Sequence, residues 1–124
     1  MMTLKSVAAV LFVDLALSAG VFAAASSHTT YLTFSGAVEL PGVTLPAGTY
    51  VFERVETSSR IDLVRVRSKQ HNTVYLTAFT NMVSRPRNLG PDQWVTFKEA
   101  KPGAAPQIAV WFPAGEAMGH QFVY

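Results

Sequence analysis

The sequence predicts an all-β fold: an antiparallel β-sandwich of about seven strands, with a small β-barrel as the alternative. From residue 29 onward, short segments rich in Val, Thr, Tyr, Phe and Trp alternate with clusters of Pro, Gly, Asn and Ser. This alternation is typical of strands and turns. No apolar period of 3.6 residues occurs beyond the N-terminal region, and 124 residues suit one domain.

The N-terminal residues 1–25 have the features of a secretory signal peptide, predicted as a helix. Lys5 supplies a short positive region, and a long apolar run of Val, Ala, Leu and Phe follows it. The run ends in three consecutive alanines, which provide the small residues that a signal peptidase requires. We expect cleavage after Ala25, with Ala23 as the second choice, and a single mature domain at 26–124.

An uncleaved membrane anchor is the alternative for the same segment. Residues 7–25 carry one charge, Asp14, and their length is close to the roughly 20 residues of a membrane-spanning helix. In both interpretations the β domain lies outside the cytoplasm, so we expect a periplasmic or secreted protein. Membrane contact is expected only through this segment if it stays uncleaved.

Charge and cysteine content exclude several partners and sites. The net charge is +2, and it stays at +2 when residues 1–25 are removed, because one basic and one acidic residue go with them. Nucleic-acid binding normally requires a dense basic surface, so no nucleic-acid partner is predicted. The absence of cysteine excludes disulfides and thiolate metal sites.

The predicted strands are short and closely spaced. Most of them are separated by turn-forming residues. The candidate strands cover residues 30–35 with a continuation at 37–40, 49–56, 61–67, 73–80, 94–99, 107–112 and 121–124.

Turn chemistry supports the boundaries between these strands. Pro41 and Gly42 form a type II turn candidate, since proline presets φ at the second position and glycine accepts positive φ at the third. Residues 68–72 form the best hairpin loop, with Asn72 as a candidate for the left-handed conformation. Residues 84–93 are rich in proline and polar side chains and are predicted as the longest surface loop.

No set of residues amounts to a catalytic, cofactor or metal site. The three histidines, His28, His71 and His120, lie in different segments without metal-ligand spacing. Nucleophile motifs such as G-x-S-x-G and S-x-x-K are missing. One hydrolase hypothesis remains, with His120 and Glu116 at its centre, and it requires the two side chains to converge in a cleft.

Arginine and aromatic residues give the only concentrated signal for ligand binding. Arg65 and Arg67 share one face of a predicted strand, and an aromatic neighbour would complete a patch for an anion or a sugar. The alternatives are that these charges protect an edge strand and that the tryptophans belong to the core. The predicted ligand-binding residues are Arg65, Arg67, Trp94, Trp111 and His120.

Two stretches carry a resemblance to known proteins. Residues 45–52 (LPAGTYVF) and 110–124 (VWFPAGEAMGHQFVY) resemble a group of short, uncharacterised bacterial β proteins that carry signal peptides, with an LPAGTY turn and a WF-PG-G-FVY ending. In this chain an alanine, Ala114, separates the proline from the glycine of the second stretch. The resemblance implies export and a β fold, and it carries over no functional residues.

These observations lead to an expected function in outline. We expect an exported, non-enzymatic binding or interaction module whose partner is a protein or a glycan. The alternative is an accessory domain that binds carbohydrate or an anion through Arg65, Arg67 and exposed aromatic side chains.

Overall fold

The computed structural model describes residues 22–26, 29–56 and 62–124. Within these ranges every regular element is a β-strand, all pairs of strands are antiparallel, and no helix is present that could cross a membrane. The predicted all-β antiparallel fold is therefore confirmed. The sheets do not close into a barrel, so the barrel alternative is wrong. Residues 22–25 of the predicted signal helix belong to a β-strand instead, and residues 1–21 lie outside the described residues.

The described residues form eleven short strands, where seven were predicted. Three of them, β1, β4 and β8, are additional, and the first predicted strand with its continuation is divided into β2 and β3. The last strand lies three residues earlier than expected. In chain order they are β1 (Phe22–Ser26), β2 (Thr29–Phe34), β3 (Val38–Leu40), β4 (Val43–Leu45), β5 (Gly48–Val55), β6 (Leu63–Ser68), β7 (Val74–Phe79), β8 (Asn81–Ser84), β9 (Val95–Phe97), β10 (Ile108–Trp111) and β11 (Met118–Gln121).

The strands form two main sheets and one small hairpin. The first sheet has the order β1-β2-β5-β6-β7, and the second has the order β8-β11-β10-β9. The hairpin β3-β4 joins the second sheet through a parallel bridge between Glu39 and Gln107. The chain passes from the first sheet to the second at one residue, Thr80, which separates β7 from β8.

The core lies between the two sheets. The ring of Phe52 on β5 lies 5.9 Å from the ring of Trp111 on β10 and 6.4 Å from that of Phe122, which follows β11. These three side chains are at most 3% exposed, so they contribute the full transfer free energy of large aromatic groups. The inner face of the first sheet also includes Leu32 and Val66, both fully buried.

The two predicted turns form, with one change in which residue takes the left-handed conformation. Gly42 connects β3 to β4 at φ 76°, as the type II assignment requires. In the β6–β7 hairpin the left-handed residue is His71, at φ 64°, and not Asn72. The amide oxygen of Asn72 instead accepts a hydrogen bond of 2.9 Å from the hydroxyl of Ser68, which closes the loop.

A β-bulge interrupts the pairing of β6 with β7. Arg65 lies opposite Thr77, but the register shifts between Val66 and Arg67, so that Arg67 lies opposite Val74. One extra residue on β7 reverses the inside–outside alternation at that point. Simple alternation from the sequence would place Val74 inward, whereas its side chain is 53% exposed.

Candidate functional site

The five predicted ligand-binding residues do not share one face of the molecule. Arg65 and Arg67 lie on the face of the first sheet that points away from the second sheet, here called the outer face, because they alternate with the buried Val64 and Val66. Trp111 and His120 lie inside the core and are 0% exposed, and the partly buried Trp94 packs against the core.

The two arginines of the outer face share one carboxylate. Arg65 Nε donates to Glu53 Oε2 at 2.6 Å, and Arg67 Nη2 donates to Glu53 Oε1 at 3.0 Å. The Glu53 side chain is only 12% exposed, whereas that of Arg65 is 35% exposed. An anion that binds here would compete with the carboxylate of Glu53. The trio of Arg65, Arg67 and Glu53 therefore offers a ligand less positive charge than the two arginines alone would.

Next to this trio, the β6–β7 turn is tied back onto the sheet. The Tyr31 hydroxyl on β2 lies 3.0 Å from His71 Nε2, and the two rings meet edge to face with centroids 6.1 Å apart. The pair is exposed. It fixes the position of the turn against the outer face.

His120 is the most deeply buried titratable side chain among the candidates, and its hydrogen bond defines its tautomer. Its Nδ1 lies 3.0 Å from the Thr80 hydroxyl, and that hydroxyl donates to the backbone carbonyl of Asp62 at 2.8 Å. A hydroxyl has a single proton. Because the proton of Thr80 goes to Asp62, Nδ1 of His120 must donate to Thr80, and Nε2 carries the lone pair.

Trp111 lies opposite His120 in the second sheet and stacks on its ring. The two are register partners of β10 and β11, with centroids 5.4 Å apart at an interplanar angle of 27°. Both Trp111 Nε1 and His120 Nε2 are buried without a hydrogen-bond partner among the described residues. The pair therefore contributes packing more than hydrogen bonding.

A buried arginine supplies the charge next to this pair. Arg54 on β5 donates from Nη1 to Glu116 Oε1 at 2.7 Å and from Nη2 to Glu56 Oε2 at 2.6 Å. Its side chain is only 10% exposed. The ion pair of Arg54 with Glu116 joins the first sheet to the turn that precedes β11.

These surroundings lower the pKa of His120. Burial is the largest cause, and the positive charge of Arg54 adds to it, while Glu116 and Asp62 act in the opposite direction. The imidazole is consequently neutral at pH 7. The ring of His120 is fully buried and hydrogen-bonded to Thr80, so a substrate has no access to it. The carboxylate of Glu116 binds Arg54.

Metal-ligating groups are dispersed over the described part of the chain. No group of three or more His, Asp or Glu side chains there could hold a metal ion. His28, one of the three histidines of the sequence, lies outside the described residues.

The predicted site residues did not include Arg54, Glu53 or Thr80. The sequence contains a signal for Arg54, because positions 50, 52 and 54 alternate onto one strand face and two of them are the aromatic core residues Tyr50 and Phe52. An arginine in that pattern indicates a buried, paired charge.

Exposed apolar side chains mark a different part of the molecule. Val74 and Phe79, at the two ends of β7, are 53% and 56% exposed. At the C-terminus Val123 is 58% and Tyr124 is 42% exposed, but Lys98 Nζ lies 4.3 Å from the centre of the Tyr124 ring and covers part of it. Strand β7 is therefore where apolar surface meets a sheet edge.

The chain matches no protein-family profile, and neither curated proteins nor solved structures gave a match.

Proposed function

We propose that this chain is an exported, non-enzymatic β-sandwich that acts by binding another protein in the periplasm or outside the cell. Its export rests on the signal features of residues 1–25, and the sandwich on two sheets that share one aromatic core. The interaction role rests on the distribution of charge and apolar surface over the described residues.

The charged groups of the two candidate sites are engaged with one another. Arg65 and Arg67 bind Glu53, and Arg54 binds Glu116. His120 is buried and neutral. Groups in these positions stabilise the fold and orient neighbouring strands. They therefore favour a structural role for these residues over a catalytic one.

Strand β7 carries the proposal. It forms one end of the first sheet, and both of its exposed apolar side chains, Val74 and Phe79, flank that end. Apolar side chains on the last strand of a sheet, as β7 is among the described strands, are typical of surfaces that bind an added strand. A protein partner fits such an edge better than a small ligand does.

Carbohydrate or anion binding has less support. Trp111 is fully buried and cannot stack on a sugar, and the guanidinium groups of Arg65 and Arg67 are bound to Glu53. A glycan array tests this alternative directly. If the wild type binds a glycan and Arg65→Ala abolishes that binding, carbohydrate binding is favoured over the proposed binding of a protein.

A photo-crosslinking amino acid placed in the full-length chain in cells tests the proposal. At Val74 we expect adducts heavier than the chain, and at the exposed Thr44 on β4 we expect none. Mass spectrometry of the same envelope or secreted fraction should find chains that begin at Ser26. Equal crosslinking at both positions would refute the proposed binding of another protein. A cytoplasmic product that retains residues 1–25 would refute the proposed export.

A further inference from the structure

We infer that His120 is an acid sensor: when its ring takes up a second proton, strand β8 separates from β11 while the first sheet stays folded. This opening goes beyond the proposed function, because it regulates the fold itself and does not depend on what binds at β7. Three features carry it: the burial of His120, the charges around its ring and the weak attachment of β8.

The ring of His120 lies between residues of two neighbouring strands. Strand β11 runs between β8 and β10, and the register partners of His120 are Met82 on β8 and Trp111 on β10. Directly opposed side chains of antiparallel strands lie on the same face of a sheet, so all three belong to the inner face. The ring stacks on Trp111 and is 0% exposed. The edge strand β8 therefore separates this ring from the edge of the second sheet.

Protonation gives the buried ring a donor that has no acceptor. The neutral ring donates from Nδ1 to Thr80, and Nε2 carries the lone pair. A second proton binds at Nε2, for which the described residues offer no hydrogen-bond partner. A buried donor without a partner is costly. Water satisfies the new N–H group once the ring becomes accessible, so the protonated ring favours an open state.

The charges around His120 act in the same direction as this donor. The charged groups that affect the ring are Arg54 on β5, Glu116 in the turn before β11 and Asp62 before β6, while β8 and β10 carry no charged side chain. Glu116 and Asp62 favour the protonated ring, but Glu116 also binds the guanidinium group of Arg54 at 2.7 Å. Burial and Arg54 outweigh the two carboxylates, so the pKa of His120 is lowered.

Strand β8 is the neighbour of His120 that costs least to open. It has four residues, none of them fully buried, and it pairs with β11 alone. Strand β10 on the other side contains the fully buried Ile108 and Trp111. Local opening has the lowest free energy where few apolar contacts are buried. Thr80 N is bonded to Asp62 O of the first sheet, and this bond does not have to break when the residues after Thr80 move away.

Amide hydrogen exchange of the full-length protein between about pH 7.5 and about pH 5.5 tests the inference. The measured quantity is the protection factor, the ratio of the intrinsic exchange rate at each pH to the observed rate. Opening exposes a histidine of ordinary pKa near 6.5 and takes up one proton. The amides that bond β8 to β11 should therefore lose up to about tenfold in protection per pH unit below about 6.5. The amides that bond β5 to β6 should keep their protection.

Two variants assign the effect to the ring of His120. His120→Gln removes the titrating group, so the protection of β8 and β11 should no longer depend on pH. His71→Gln, at the exposed β6–β7 turn, is the matched control and should behave like the wild type.

Three results would overturn the inference. They are an unchanged protection of β8 and β11 in acid, an equal loss over both sheets, and the same local loss in His120→Gln. The first two are read from the wild type alone, so they decide the matter even if His120→Gln does not fold. None of them affects the crosslinking expected at Val74, and the proposed function is tested separately.

Discussion

Gly119 on β11 lies directly against the ring of Phe112: a Cβ atom at this position would be 2.4 Å from Phe112 Cδ1 and 2.9 Å from Val110 Cγ1. Phe112 is only 2% exposed, so its ring has little space into which to move. The close approach of the β11 backbone to this ring thus requires glycine.

Gly119→Ala should therefore destabilise the fold. Overpacking of a closed core costs about 1–3 kcal/mol, and we expect a loss of this size in the free energy of unfolding from chemical denaturation. Gly36→Ala is the matched control, because a Cβ at Gly36 meets nothing within 4 Å. Equal stability of the two variants would show that β11 can move away from Phe112.

Thr80→Val should destabilise through hydrogen bonds, since its shape is nearly unchanged. The substitution removes the hydroxyl that accepts from His120 Nδ1 and donates to the Asp62 carbonyl. A buried donor without a partner costs about 1–3 kcal/mol. Thermal or chemical unfolding measures the loss, and Thr44→Val at an exposed position should change stability by less than about 0.5 kcal/mol. A loss as small as that of the control would contradict the tautomer assigned to His120.

Stability should fall as the pH drops below about 6.5, the value at which an unperturbed histidine takes up its proton. The lowered pKa of His120 keeps the folded form neutral after the unfolded form has been protonated. The unfolded state then binds more protons, and stability decreases with decreasing pH until the lowered pKa is reached.

The test is the free energy of unfolding between pH 7.5 and about pH 5, above the range in which most carboxylates titrate. His120→Gln should flatten this dependence even if the variant is less stable throughout. His71→Gln, at the exposed hairpin turn, should retain it. An unchanged slope in His120→Gln would assign the effect to another group.

The two carboxylate partners of Arg54 should differ in importance. The side chain of Glu116 is 19% exposed and that of Glu56 is 49% exposed, while both bind the same guanidinium group. Glu116→Gln should cost about 1–3 kcal/mol, because it weakens a charged bond at a buried site. Glu56→Gln should cost less than about 1 kcal/mol, as exposed pairs do. Chemical denaturation of both variants compares them, and an equal cost would mean that solvent screens the two bonds alike.

Turn chemistry made the boundaries of several strands predictable. Pro41 and Gly42 define the β3–β4 turn because proline presets its own φ and glycine accepts the positive φ of the next position. Strand β8 was not predictable in this way: its four residues, from Asn81 to Ser84, follow β7 after one residue and carry no turn signal. The bulge in β7 is also invisible in the sequence, because it depends on the register with β6.

The candidate site was less predictable than the fold. Arg65 and Arg67 were placed correctly on one strand face, but their partner Glu53 lies on the adjacent strand, and only the pairing of β5 with β6 brings it there. Likewise, the stacking of Trp111 on His120 requires the register of β10 with β11. Contacts between strands that are distant in sequence follow from tertiary structure, and residue type alone does not specify them.

The change of sheet at Thr80 has a mechanical consequence. Because a single residue joins the two sheets and its side chain binds His120 on the second one, neither sheet can pivot at this corner without breaking that bond. A strand bound to β7 would end next to this rigid joint. Binding of such a strand to β7 would then also restrain β8 and β11. The backbone amides of these two strands would exchange their hydrogens more slowly.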